Sequence, residues 1–180
     1  MMYIFNEITP DSALLANINS LYASAFPPDE RRDFALVRHL LDAAGAFRIH
    51  AALDSASGEF AAFGSFWDFG SFTYIEHLAV MPPMRGKGIG HKVMKHVFES
   101  VSARVVLEVE PPADDVTRKR IAFYESLGMS LWSDFPYIQP PYAPHLNPVE
   151  LRLMTAGSFS PDDLTAAVAT IHREVYGVVC

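Results

Sequence analysis

Apolar residues recur at two periods along this 180-residue chain, and the switching between them lays out the elements. Alternating or continuous apolar runs predict strands over Tyr3–Ile8, Ala46–Leu53, Glu59–Trp67, Ser71–Val80, Arg104–Val109, Met129–Trp132 and Glu150–Met154. Between them the helical period takes over. Thr9-Pro10-Asp11 supplies a cap, a first-turn proline and an acid for a helix reaching about Ala25, with Leu14, Ile18, Leu21, Tyr22 and Ala25 on its buried face. Phe26-Pro27-Pro28 stops it, and Asp29 starts a second helix, Glu30 to Ala43, ended by Gly45. Ile89, Val93, Val97 and Val101 mark a third helix, and Asp114 to Leu127 a fourth, closed by Gly128. Ser160-Pro161-Asp162-Asp163 opens a fifth, about 160–177. Residues 133–149 differ in kind. Their prolines at 136, 140, 141, 144 and 148 argue against regular structure, while Phe135, Tyr137, Ile138, Tyr142 and Leu146 give enough apolar surface for an ordered loop beside a pocket.

Half the residues are apolar and 19% are charged, so one domain over 1–180 with a real core is expected. Fourteen basic against twenty-one acidic residues give a charge of −7, which argues against nucleic acid as a partner and favours a cationic small molecule. Cys180 is the single cysteine, which leaves no intrachain disulfide and no cysteine-based metal cage. No apolar run reaches the ~18 residues of a membrane span, and Met1 to Glu7 has no basic leader. A cytoplasmic protein with no membrane partner is expected.

The chemistry concentrates at Arg85-Gly86-Lys87-Gly88-Ile89-Gly90, between an apolar strand and an amphipathic helix. Alternate glycines let the main chain curl with its N–H groups inward, and the free donors of a helix start add partial positive charge, which makes a cradle for phosphate. The dinucleotide fingerprint needs glycine where His91 stands, and a nucleotide-triphosphate loop needs Ser or Thr where Gly88 stands.

The fuller string, Leu78-Ala79-Val80-Met81-Pro82-Pro83-Met84 followed by that loop, resembles the acetyl-CoA loop of the GNAT superfamily of N-acetyltransferases. Phe123-Tyr124-Glu125-Ser126-Leu127-Gly128-Met129 is similar to its second signature, and the likeness covers about residues 1–155. The resemblance implies an α/β (α+β) fold: a mixed, bent central sheet of about seven strands flanked by helices. The C-terminal helix is an addition to it, capping the sheet or pairing subunits, so a monomer or homodimer is expected. The implied activity is direct acetyl transfer from acetyl-CoA to a primary amine of a small molecule, or of a peptide or protein. The alternatives are a non-catalytic acetyl-CoA-binding module and an acyltransferase using a longer chain.

By the same resemblance, backbone groups of Arg85, Gly86, Lys87, Gly88, Ile89, Gly90 and His91 hold the CoA phosphates. Main-chain groups of Leu78, Ala79 and Val80 meet the pantetheine arm, Phe123 faces cofactor or core, and Tyr124 protonates the departing thiolate. Glu76, in a string similar to that of polyamine acetyltransferases, is the implied base. Strand alternation puts it on the face of Leu78 and Val80 with His77 opposite, while Glu108 and Glu110 stand in reserve. Thr117 occupies a position where many family members have asparagine, and Arg118, Lys119 and Arg120 follow it. Phe26, Tyr137 and Tyr142 are expected to line the acceptor pocket, with Asp29 or Glu30 to attract an amine and Arg31 or Arg32 a carboxylate. No metal motif occurs.

Overall fold

In a computed structural model, which describes residues 2–43, 45–101 and 104–178, seven strands form one sheet. They are β1 (Tyr3–Glu7), β2 (Phe47–Asp54), β3 (Phe60–Asp68), β4 (Thr73–Val80), β5 (Val105–Val109), β6 (Ser130–Gln139) and β7 (Val149–Ala156), in the order β1-β2-β3-β4-β5-β7-β6. The helices are α1 (Leu15–Ala25), α2 (Phe34–Ala43), α3 (Ile89–Ser100), α4 (Asp115–Glu125) and α5 (Pro161–Glu174). Cys180 lies outside the described residues. No helix among the described residues is long and apolar enough to cross a membrane.

Every pairing is antiparallel except β4 with β5. Two apolar clusters cover the sheet's faces. On one face α1, α2 and α5 contribute Ile18, Val37 and Leu164 to a cluster with Tyr74 and Val106. On the other, α3 and α4 contribute Val93 and Ile121 to a cluster with Ile75 and Leu107. Consecutive strand residues thus go to opposite faces, as the pleat requires.

Three predicted elements differ, each for a local reason. The first helix begins at Leu15 because the Thr9 hydroxyl bonds Asp11 (2.6 Å) rather than capping, and the next residues form turns. The second begins at Phe34: Pro28–Glu30 makes one 3₁₀ turn, Arg31 is extended, and Asp33 takes the capping role, accepting from the Ala35 N–H (2.8 Å). That break frees Arg32 to reach inward. The proline-rich stretch enters the sheet as far as Gln139, because β6 is an edge strand and Pro136 sits in its irregular segment between Trp132 and Tyr137, where no ladder donor is needed.

Candidate active site

β4 and β5 pair only at their starts, Thr73 to Ile75 against Val105 to Leu107. Beyond Ile75 they part, although β4 stays on β3 as far as Val80 and β5 stays on β7 as far as Val109. The parting opens a cleft of about 1070 Å³ lined from both faces of the sheet. Leu78, Val80, Ile89, Phe123 and Tyr124 line its α3/α4 side, and Phe26, Glu30, Glu108 and Tyr142 its α1/α2/α5 side.

Where the strands part, β4 carries a bulge. Ser65 of β3 faces His77 and the next residue, Phe66, faces Ile75, which leaves Glu76 unpaired. The extra residue resets the alternation. Glu76 bonds Trp67 while His77 packs edge-on to Tyr22 and Phe26, so both lie on the α1 side, and Glu76 does not share the face of Leu78 and Val80. The expected alternation fails at this one position. His77 is a packing residue: its Nε2 lies 3.0 Å from the Glu30 carbonyl, which can only accept, so Nε2 carries the proton and Nδ1 (3.4 Å) accepts from the Ser65 hydroxyl.

The Glu76 side chain is 1% exposed and fully engaged. Arg32 donates to Oε1, Tyr142 donates to Oε1 at 2.9 Å, and the Trp67 indole donates to Oε2 at 2.9 Å. The guanidinium lies 4.6 Å from the Tyr142 ring centroid. Burial pushes the Glu76 carboxyl up, but the charge of Arg32 and the indole bond outweigh it and hold it below the usual glutamate range. Arg32 is therefore consumed and does not await a carboxylate ligand.

A second carboxylate faces the opening. Glu108 of β5 lies on the face of Val106 and lines the cleft. Tyr137 of β6 donates to its Oε1, and the Tyr176 hydroxyl is 3.0 Å from Oε2 and 3.2 Å from Oε1. Burial pushes its carboxyl up to about 7, against the pull of the phenols of Tyr137, Tyr74 and Tyr176. Glu110 instead pairs with Arg120.

On the α3/α4 side the glycines divide two tasks. Gly86 and Gly88 both have φ of +74°, a region that a side chain opposes, and Gly88 caps α3. Gly90 serves proximity: a Cβ there would stand 3.2 Å from Phe123 Cζ. Phe123 is thus pressed on the start of α3, edge-on to His91 (4.7 Å) and to Tyr124 (4.9 Å). The His91 ring reaches Ser126 (3.0 Å), and Arg85 Nε donates to the Val80 carbonyl (3.1 Å). Tyr124 packs into the cluster of Ile89 and Ile121, and among the described residues no group bonds its hydroxyl. Burial pushes its phenol up to about 12, so it holds its proton at neutral pH.

The remaining expectations divide. Leu78, Ala79, Val80, Arg85, Gly86, Gly88, Ile89, Gly90 and His91 all line the cleft, while the ammonium of Lys87 rests near Met84 sulfur (3.9 Å). Phe26, Glu30 and Tyr142 line the α1/α2/α5 side of the cleft, whereas Tyr137 stands behind Glu108. Asp29 is held by the backbone and side chain of Asn147 (3.0 and 3.1 Å), and Arg31 by the Phe26 carbonyl (3.0 Å). Thr117 has its hydroxyl in a capping box with Asp114 and is not free for a ligand. Arg118 pairs with Asp115, and Lys119 and Arg120 line the cleft. Trp67 and Tyr176 were invisible as site residues, since nothing local marks an indole in a core strand or a phenol after a helix. Among the described residues no group of three or more His, Cys, Asp or Glu could hold a metal ion.

The sequence pattern of the acetyltransferase (GNAT) family matches residues 15–129. The chain belongs to this family. It is similar in structure to a Bacteroides thetaiotaomicron protein assigned to the GNAT family of acetyltransferases, with 31% identity over 97% of this chain and 99% of that one and a TM-score of 0.88. The fold also matches Arabidopsis thaliana NAA60 in complex with acetyl-CoA (16% identity, 86% and 97% covered, TM-score 0.64). A further match is the Escherichia coli ribosomal-protein-S18-alanine N-acetyltransferase (19%, 89% and 98%, 0.62). No protein among the curated sequences matches the chain. The GNAT family match ends at 129, so β6, β7 and α5 lie beyond it.

Proposed function

We propose that this GNAT protein is an acetyl-CoA-dependent N-acetyltransferase that acetylates a primary amine of a small molecule by direct transfer. One observation carries the reading: the cleft where β4 leaves β5 has a protonated phenol, unpartnered among the described residues, on one side and a phenol-bound carboxylate on the other. The cleft suits the cofactor. Backbone N–H groups from Arg85 to His91, turned by Gly86 and Gly88 and backed by the start of α3, would hold the CoA phosphates. The polar main-chain edges of residues 76–80 and 108–110, freed from each other, would hold the pantetheine arm. When bound, acetyl-CoA supplies an acetyl group already activated as a thioester.

Tyr124 holds the proton that a departing thiolate needs, and donates it from the α3/α4 side. On the acceptor side two carboxylates divide the work expected of Glu76, with Glu108, the reserve candidate, taking the proton. Glu76 is shielded and weakly basic, so it stays charged and fixes Arg32 and Tyr142. Glu108 lines the opening, and with its carboxyl near 7 it is matched to take the amine's proton at neutral pH. Glu30, half-buried with its carboxyl raised by burial, adds acidity at the same end, which favours a cationic acceptor. Phe26 and Tyr142 would contact its apolar part.

The test has two arms. Calorimetry with acetyl-CoA and with a longer acyl-CoA should show heat for the first, and a panel of small primary amines should then release free thiol. Binding without thiol release from any amine or peptide would make the protein a cofactor-binding module; release only with the longer acyl-CoA would make it a different acyltransferase.

A further inference from the structure

The segment that follows α5 ends in the site. α5 starts from a capping box at Ser160 with Asp163, buries Leu164, Ala167 and Ile171 against the sheet, and delivers its last turn beside β4 and β5. There the Val175 carbonyl accepts from Arg32 (3.4 Å), and the Tyr176 hydroxyl lies between Glu108 and Tyr74 (3.1 Å). Proton accounting fixes the directions. A carboxylate only accepts, so Tyr137 and Tyr176 each give their one proton to Glu108, Tyr142 gives its own to Glu76, and Tyr74 donates to Tyr176. Tyr74 thus polarises the phenol that binds Glu108.

We propose that Tyr176 is a positioning residue of the active site, whose phenol, carried in by α5, holds the Glu108 carboxylate at the acceptor end of the cleft. This rests on the reading of Glu108 as the proton acceptor. Other groups face Glu108 from the surrounding elements. Glu76 on β4 raises it and is itself balanced by Arg32, which approaches from before α2. His172 of α5, 5.6 Å from the Tyr137 ring, is held below its ordinary value by burial. Gln139 at the end of β6 is neutral. The phenols are the groups that favour the charged carboxylate, so removing one must raise its midpoint.

The experiment is Tyr176→Phe, which keeps the ring tilted against Tyr142 (4.8 Å) and deletes only the hydroxyl. Glutamate labelled with ¹³C at the carboxyl reports the Glu108 titration, assigned by its loss in Glu108→Gln. The expected result is an upward move of roughly one to two pH units, the size of one hydrogen bond to a charged group. The acidic limb of kcat/KM should move with it, and activity should recover at alkaline pH. Acetyl-CoA affinity should stay unchanged. A carboxyl midpoint that stays put overturns the proposal, as does a uniform loss of activity at every pH. A midpoint that moves while the limb does not overturns it too, for the phenol would then tune a carboxyl the reaction does not use. A wild-type protein that acetylates no amine refutes the proposed function instead, and the labelled carboxyl still decides whether the phenol holds it.

Discussion

On the α3/α4 side of the sheet the cleft wall turns on main-chain geometry at its glycines. Gly86 and Gly88 supply the turn, Gly90 brings α3 onto Phe123, and the donors proposed for the phosphates are backbone N–H groups. On the opposite side the wall is built from side chains, and the partners come from far apart: Glu76 meets Arg32 across 44 residues and Tyr142 across 66, and Glu108 meets Tyr176 across 68. A backbone site is held by local conformation and by the close approach of its main chain to neighbours, so it is damaged where either changes. A side-chain site is held by mutual satisfaction of buried charges and hydroxyls, so removal of one member leaves another exposed to the cost of burial. The two sides should therefore fail in different ways.

The largest expected failure is Arg32→Ala. It leaves a nearly inaccessible carboxylate without its cation, and breaking such a pair costs about 3–5 kcal/mol. Urea denaturation should show a loss of that order at pH 7, shrinking as acid protonates Glu76. The sign follows from the depressed carboxyl of the native state: its stabilisation is present above the unfolded-state value and is lost as pH falls through the folded one. Arg32→Met combined with Glu76→Leu should recover most of the stability, because neither charge of the pair remains buried. If the single variant is as stable as wild type, the acceptor side is not held by charge satisfaction.

Glu108→Gln separates stability from activity. The folded carboxyl near 7 lies above its unfolded value, so the native state loses stability as pH rises through the interval between 4.5 and about 7. The amide cannot ionise, and the variant should be more stable than wild type above pH 7 by roughly 1–3 kcal/mol, with that part of the pH slope flattened. Its kcat/KM should fall about 10²–10⁴-fold, the range for losing a general base. Full activity in this variant would pass the proton to another group.

Across the cleft, Tyr124→Phe should lower kcat about 10²-fold and leave acetyl-CoA affinity within about twofold, since its hydroxyl bonds no protein group among the described residues and is expected to act only on the departing thiolate. Equal kcat in mutant and wild type would remove the phenol from the chemistry.

The same contrast decides how much the sequence disclosed. The strand and helix periods located every strand, and the loop string located the residues that line the α3/α4 side of the cleft, Lys87 apart, because each of those signals is local. What failed was nonlocal or turned on one residue. The bulge at Glu76 rests on the pairing of β3 with β4 and reverses a side-chain direction that simple alternation assigns. The extended Arg31 interrupts a helix that propensity favours, since Arg32 gains a buried partner on β4 and its N–H donates to the Tyr22 hydroxyl (2.9 Å). Pro136 reads as a strand breaker until β6 is known to lie at the edge. Tyr176 carries no sequence signal at all; only the path of α5 across the sheet brings it to Glu108.

The smallest of these effects falls on the backbone side. Gly88→Ala adds a methyl with open space around it, so sterics with neighbours cost nothing, and the whole penalty comes from holding alanine at φ +74°. That penalty is about 1–2 kcal/mol. It can be met by losing stability or by letting the turn relax toward negative φ, and a relaxed turn swings N–H groups out of the cradle. Calorimetry should therefore show acetyl-CoA binding weakened by about tenfold, with the Glu108 titration unmoved because the carboxylate's partners lie on the other face. Gly90→Ala makes the complementary test. Its φ is ordinary and its cost is the approach to Phe123, so Gly90→Ala with Phe123→Leu should regain affinity, whereas the same leucine should do nothing for Gly88→Ala. Rescue of both variants by the leucine would mean that packing on α4, and not the handedness of the turn, sets the cofactor wall.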